Sequence, residues 1–163
     1  MKKLIYLIPI FLLLFSCDED TNPGSVNRYF YANSEVSPPN EDVGMYVNWT
    51  EGQKTVFRFI LIHPDEVNIA DDELAEVFWI EIPSNITEFT ANQDIDSEIE
   101  VYYTRSCYCG FSAFEFSEYD VIGNKLDNGT WNISFSMTAQ SGSYPESYIL
   151  EDSGIYFPGQ REE

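Results

Sequence analysis

The chain has 163 residues and a formal net charge of −20, with 28 Asp and Glu against 8 Lys and Arg. So acidic a chain lacks the basic face needed to displace counterions from phosphates, which argues against nucleic acid as a partner. The length suits one domain, and 44% hydrophobic with 16% aromatic residues is too apolar for a disordered acidic chain.

Lys2 and Lys3 form a positive start, and Leu4 to Phe15 is an uninterrupted apolar run. A membrane-spanning helix needs about 20 apolar residues, so this shorter run reads as a secretory signal. Leu14-Phe15-Ser16-Cys17 closes it. That tetrapeptide resembles the lipobox of bacterial lipoprotein signals, which implies a diacylglyceryl group on the Cys17 thiol, cleavage before Cys17 and acylation of the new N-terminus. Two or more acyl chains anchor stably where one does not. Cleavage removes Lys2 and Lys3 but no acid, taking the charge from −20 to −22. Asp18-Glu19-Asp20 resembles the acidic export signal of Bacteroidota lipoproteins, implying an outer-membrane, lipid-anchored protein displayed at the cell surface. The chain therefore divides into a signal peptide at 1–16, a lipidated acidic tether at 17–27 and a single domain at 28–163.

Thr21 to Asn27 and Ser37-Pro38-Pro39-Asn40 have linker composition, with Arg28 to Ala32 between them as a first strand or edge segment. Val43, Met45, Val47 and Trp49 alternate with Gly44, Tyr46 and Asn48, the period of a half-buried strand. Glu51-Gly52-Gln53-Lys54 reads as a turn and Thr55 to Ile62 as the second arm of a hairpin. Further strands are expected at 77–82, 95–103 and 111–119. Ala70 to Glu76 carries the one helical pattern. Trp131, Ile133, Phe135 and Met137 give the clearest alternation, preceded by the turn signal Asp127-Asn128-Gly129. Tyr148 to Phe157 is expected to split into a last hairpin around Asp152-Ser153-Gly154. Many short strands separated by turn signals predict an all-β antiparallel sandwich of Ig-like or Greek-key type. We expect seven to nine strands, at most one short helix, and a core of Val47, Phe57, Phe59, Ile80, Ile99, Trp131, Ile133 and Phe135.

The segments FEFSEYDVIGNKL, NGTWNISFSMTA and ILEDSGIYFPG resemble small Bacteroidota lipoproteins of unknown function with an all-β domain. The resemblance implies a fold class and a compartment, and no activity.

Cys107-Tyr108-Cys109 is the most unusual local feature. Residues i and i+2 of a strand lie about 6.6 Å apart, at the upper limit for a disulfide, so Cys107 and Cys109 can pair if the chain bends at Gly110. Redox or metal use is the alternative, and zinc would need two more ligands where the chain offers only His63. Asp94, Asp96, Glu98 and Glu100 alternate with apolar and small residues, which on a strand puts four carboxylates on one face. They are the candidate Ca2+ ligands, with Asp71-Asp72-Glu73 as a second cluster. The EF-hand pattern fails, because Ile99 stands where its glycine belongs and Arg105 where its terminal Glu belongs. The other reading is a solvated face whose charges discourage edge pairing.

No G-x-S-x-G, H-E-x-x-H or phosphate-cradling glycine loop occurs, so no catalytic residue is assigned and a non-enzyme is expected. Tyr102, Tyr103, Tyr108, Trp49 and Trp79 supply rings for stacking a sugar, and equally for a core. Three functions follow in order of preference. The first is a surface module binding glycan or protein through Tyr102, Tyr103 and Tyr108 beside the acidic run. The second is a structural or assembly component of an outer-membrane complex, and the third a small hydrolase. The acidity favours a cationic or ion-bridged partner. Cys17→Ala should abolish acylation and move the protein from the membrane fraction to the soluble fraction, whereas an unmodified Cys17 thiol in the mature wild type, seen by mass spectrometry, refutes the anchor.

Overall fold

Alternation of apolar and polar side chains produces eight strands and no helix among the described residues of this computed structural model, namely 24–37, 47–64, 74–95, 98–106, 114–141 and 144–160. The strands are β1 (Ser25–Ser37), β2 (Asn48–Ile62), β3 (Ala75–Pro83), β4 (Glu88–Asn92), β5 (Glu100–Ser106), β6 (Phe114–Lys125), β7 (Trp131–Ser141) and β8 (Tyr144–Pro158). They form one curled sheet in the order β4-β6-β7-β8-β1-β2-β3-β5, a half-barrel. Two meanders, β1-β2-β3 and β6-β7-β8, supply its two halves. The chain passes between the halves three times, so that β4 becomes one edge beside β6 and β5 the other beside β3.

The all-β class is as the sequence predicts, and the pairing is not wholly antiparallel. β1 and β8 run parallel, joined through Tyr29↔Phe157 and Phe30↔Pro158. Arg28 reinforces this short seam, donating from Nε and Nη2 to the two carboxylate oxygens of Asp152 at 2.6 and 2.5 Å. The same fork raises the Arg28 pKa against the opposing effect of burial. Gly159 N–H adds a bond of 2.9 Å to the Phe30 carbonyl.

The inner faces of the halves meet in one aromatic core. Phe57 stands edge-on to Trp131 at 5.1 Å, Phe59 edge-on to Phe135 at 5.2 Å, and Phe78 lies 4.5 Å from Phe135. Of the predicted core, Phe57, Phe59, Ile80, Trp131, Ile133 and Phe135 are buried there and Ile99 packs against them. Val47 instead packs, partly buried, against a second cluster of Val36, Val56 and Trp79 on the outer face.

Three local expectations are corrected. Glu51 to Lys54 is part of β2, because its extra residues form a bulge rather than a turn. The Asp152-Ser153-Gly154 signal makes no hairpin. β8 runs through it, and Gly154 is used because a Cβ there would sit 2.6 Å from Arg28 Nε. Ala75 and Glu76 begin β3 instead of ending a helix, while residues 70–73 lie outside the described residues. The turn at Asp127-Asn128-Gly129 forms as expected. Gly129 has φ +84°, and Asn128 Oδ1 accepts from Thr130 N at 3.0 Å. Phe135 is 4% exposed and bridges the two halves, so Phe135→Ala should cost about 3–5 kcal/mol in the denaturant midpoint analysis, by lost transfer energy plus the cavity left behind.

Candidate functional site

The site begins with the irregularity between β1 and β2. Register is regular from Ser25↔Ile62 to Ala32↔Thr55, then Ser34 pairs with both Lys54 and Glu51. Asn33 absorbs the mismatch at φ +53°, a left-handed conformation that Asn tolerates better than most residues. Opposite it, Gln53 N–H donates to Glu35 Oε1 at 3.1 Å. Glu35 lies so close over Gly52 that a Cβ there would meet it at 2.2 Å. Bulges bend and twist strands. Here the bend carries the far ends of β1 and β2 back over the outer face of β3, where Val36 N–H donates to Glu81 Oε2 at 2.5 Å and Trp49 lies 6.4 Å from Trp79.

The folded-back tip creates a groove. Tyr29 and Tyr31 project from the outer face of β1, opposite in phase to the inward Phe30. Trp49 stacks on Tyr31 with centroids 4.3 Å apart and planes at 26°, while Tyr29 lies 6.5 Å from Tyr31. Together with Arg58, Asn27 and Gln160 they line a cavity of about 600 Å3. Tyr31 is nearly covered and backs the wall. Tyr29, 36% exposed, presents its ring to solvent. Gly159 crosses the edge of Tyr31 so closely that a Cβ would sit 2.4 Å from the ring, which fixes that side of the groove. Arg58 lies 4.9 Å over the Trp79 ring.

Beneath the tip, Glu81 is only 2% exposed and accepts from both Val36 and the Lys54 ammonium. Lys54 also reaches Glu100 Oε2 at 3.2 Å, and Tyr102 Oη donates to the same oxygen at 3.2 Å. Hydrogen bonding with Glu81, ahead of the Lys54 ammonium, holds the Glu100 carboxyl below its ordinary range. Bonding to Glu81 against the cost of burial pushes Lys54 up to about 12. Burial, then the Glu100 charge, raises Tyr102 to about 12.

Among the described residues, those singled out by sequence do not assemble into one site. Tyr102 and Tyr103 are neighbours on β5 and face opposite ways. Tyr102 packs against the outer cluster, whereas Tyr103 is 6% exposed in the main core. Its hydroxyl donates to the buried Glu76 at 2.5 Å, with His63 Nε2 also 2.7 Å from that carboxylate. Burial and the Glu76 bond hold the Tyr103 phenol neutral far above its usual range. Tyr108, Cys17, Cys107, Cys109 and Asp96 lie outside the described residues. β5 starts at Glu100, so Asp94 and Glu98 are exposed loop residues and the four-carboxylate ladder is not a strand face. Among the described residues no three His, Cys, Asp or Glu side chains converge to hold a metal ion, and Glu100 is engaged with Lys54.

Trp49 was legible as a stacking residue. Tyr29, Tyr31 and Arg58 were not, although tyrosines flanking Phe30 are a signal that the ring with a polar tip faces out. Lys54 ties the tip to β3, and its folded-state pKa exceeds its ordinary 10.5. Its stabilisation is therefore complete below pH 10.5 and lost as pH rises through about 12. Tyr102, whose neutral form folding favours, loses stability in the same direction from its ordinary 10.0. The thermal midpoint of the wild type should fall across that alkaline window, and that of Lys54→Met should fall less; parallel curves would show that Lys54 holds nothing.

The chain matches no known family model, no curated protein and no solved structure.

Proposed function

We propose that the protein is a non-enzymatic cell-envelope lipoprotein, held at the outer membrane through Cys17, whose domain binds glycan in the groove on the outer face of β1 and β2. In this reading the curled sheet serves as the two layers of an Ig-like sandwich, with its ligand surface on one layer. One observation carries the proposal. Tyr29, Tyr31 and Trp49 converge in a single open groove with amide side chains at Asn27 and Gln160. Tyr and Trp offer rigid, amphipathic area at small entropic cost, suited to the C–H faces of sugar rings. Amides supply both donors and acceptors for ring hydroxyls. A concave site with an apolar wall and a few polar groups is the form expected of small-ligand recognition.

A glycan array probed with the mature domain tests the reading. Tyr29→Ala should weaken binding at least tenfold while changing stability by no more than about 0.5 kcal/mol, as for other surface substitutions. If no saccharide is bound, or if binding ignores Tyr29, the groove is not the site.

A further inference from the structure

We infer that the groove selects a saccharide bearing a carboxylate, a hexuronate or a related sugar acid, and that Arg58 pairs with that carboxylate. The inference rests on the glycan reading and adds the ligand's charge to it.

Acids outnumber bases 28 to 8, so a cation in this chain has many candidate partners. Arg28 takes Asp152, and Lys54 takes Glu81 and Glu100. Arg58, like Arg105 and Lys125, takes none, but Arg58 alone of these three lines the groove: among the described residues no carboxylate lies within ion-pair distance of it, and neither Asp nor Glu is in that lining. The guanidinium is nonetheless fixed in place. It lies 4.9 Å over the indole of Trp79, a ring that is itself only 3% exposed. Stacking engages the face of a guanidinium, whereas its N–H bonds lie in the plane and stay available at the edge. Its Nε is buried without a hydrogen-bond partner, so a ligand can reach only the two terminal nitrogens.

Arg58 is paired across the sheet with Tyr29, the exposed ring of the wall. A sugar ring laid against Tyr29 therefore carries its substituents next to Arg58. A carboxylate there accepts two parallel N–H bonds in the fork geometry that arginine offers and lysine does not. A neutral hexose would occupy the same wall and leave the guanidinium as it is. The long-range field of an acidic body opposes any anionic ligand, so selection depends on this short-range pair.

The test is a panel of oligosaccharides built from glucuronate, galacturonate, mannuronate or guluronate, each beside its carboxyl-reduced twin, titrated by calorimetry against the mature domain. At least one acidic member should bind tenfold or more tightly than its reduced twin. Arg58→Gln should erase that difference, and Arg58→Lys should restore only part of it. The thermal midpoint and near-UV spectrum of each variant check that Trp49 and Trp79 remain packed. Equal binding of acidic and reduced members, or a preference that survives Arg58→Gln, overturns this inference and leaves the glycan reading standing. Binding of no saccharide at all, in this panel or on the neutral array, overturns both.

Discussion

The fold depends on the seam between β1 and β8. Each half of the sheet is a meander whose strands pair along their length, but the two halves share only two residue pairs of parallel ladder. So short a ladder cannot define the closure by itself. Arg28 and Asp152 do so by a two-pronged fork across the seam, with Asp152 only 9% exposed. A buried ion pair offsets its desolvation only when the geometry is good and the remaining valences are filled, and the two parallel bonds meet that condition. Gly154 clears the space for the guanidinium and Phe59 lies beneath it. Once the seam closes, the inner aromatic faces have one way to meet, and the T-shaped contacts of Phe57 and Phe59 with β7 follow.

A second constraint builds the outer face. β3 is buried on both sides along most of its length, which a single curled sheet does not supply unaided. The bulge at Asn33 and Gly52 provides the second cover by turning the ends of β1 and β2 back onto Trp79 and Glu81. Glu81 is then a buried carboxylate among hydrophobic residues, held because Val36 and Lys54 both donate to it. The groove is a by-product of this return: its aromatic wall exists only where Trp49 has come back to lie against Tyr31.

Legibility in the sequence follows the range of the determinant. Alternation at Trp131 to Met137 and the Asn-Gly turn before it are local, and both read correctly. The Glu51 to Lys54 and Asp152 to Gly154 segments have turn composition for another reason. Their small residues admit Glu35 and Arg28, which come from strands remote in sequence. Glu76 sat in a helical pattern because the side chains that hold its carboxylate, Tyr103 and His63, lie on β5 and past the end of β2. The adjacent tyrosines at 102 and 103 looked like a surface pair by composition, yet a strand sends neighbours to opposite faces, so no ligand could use both. Tyr29 and Tyr31, two apart, share a face by the same rule.

Under the proposed lipid anchor, the order of the chain sets how far the groove can stand from a membrane. β1 begins at Ser25, and Asn27 and Tyr29 at its start line the groove. With lipid on Cys17, only eight residue steps separate the anchor from the first strand, a leash of at most about 29 Å at full extension. The wall of the groove thus belongs to the part of the domain nearest the proposed anchor. A module anchored as proposed would sample polymers lying in the layer just above the lipid headgroups, and chains that never enter that layer would pass beyond its reach.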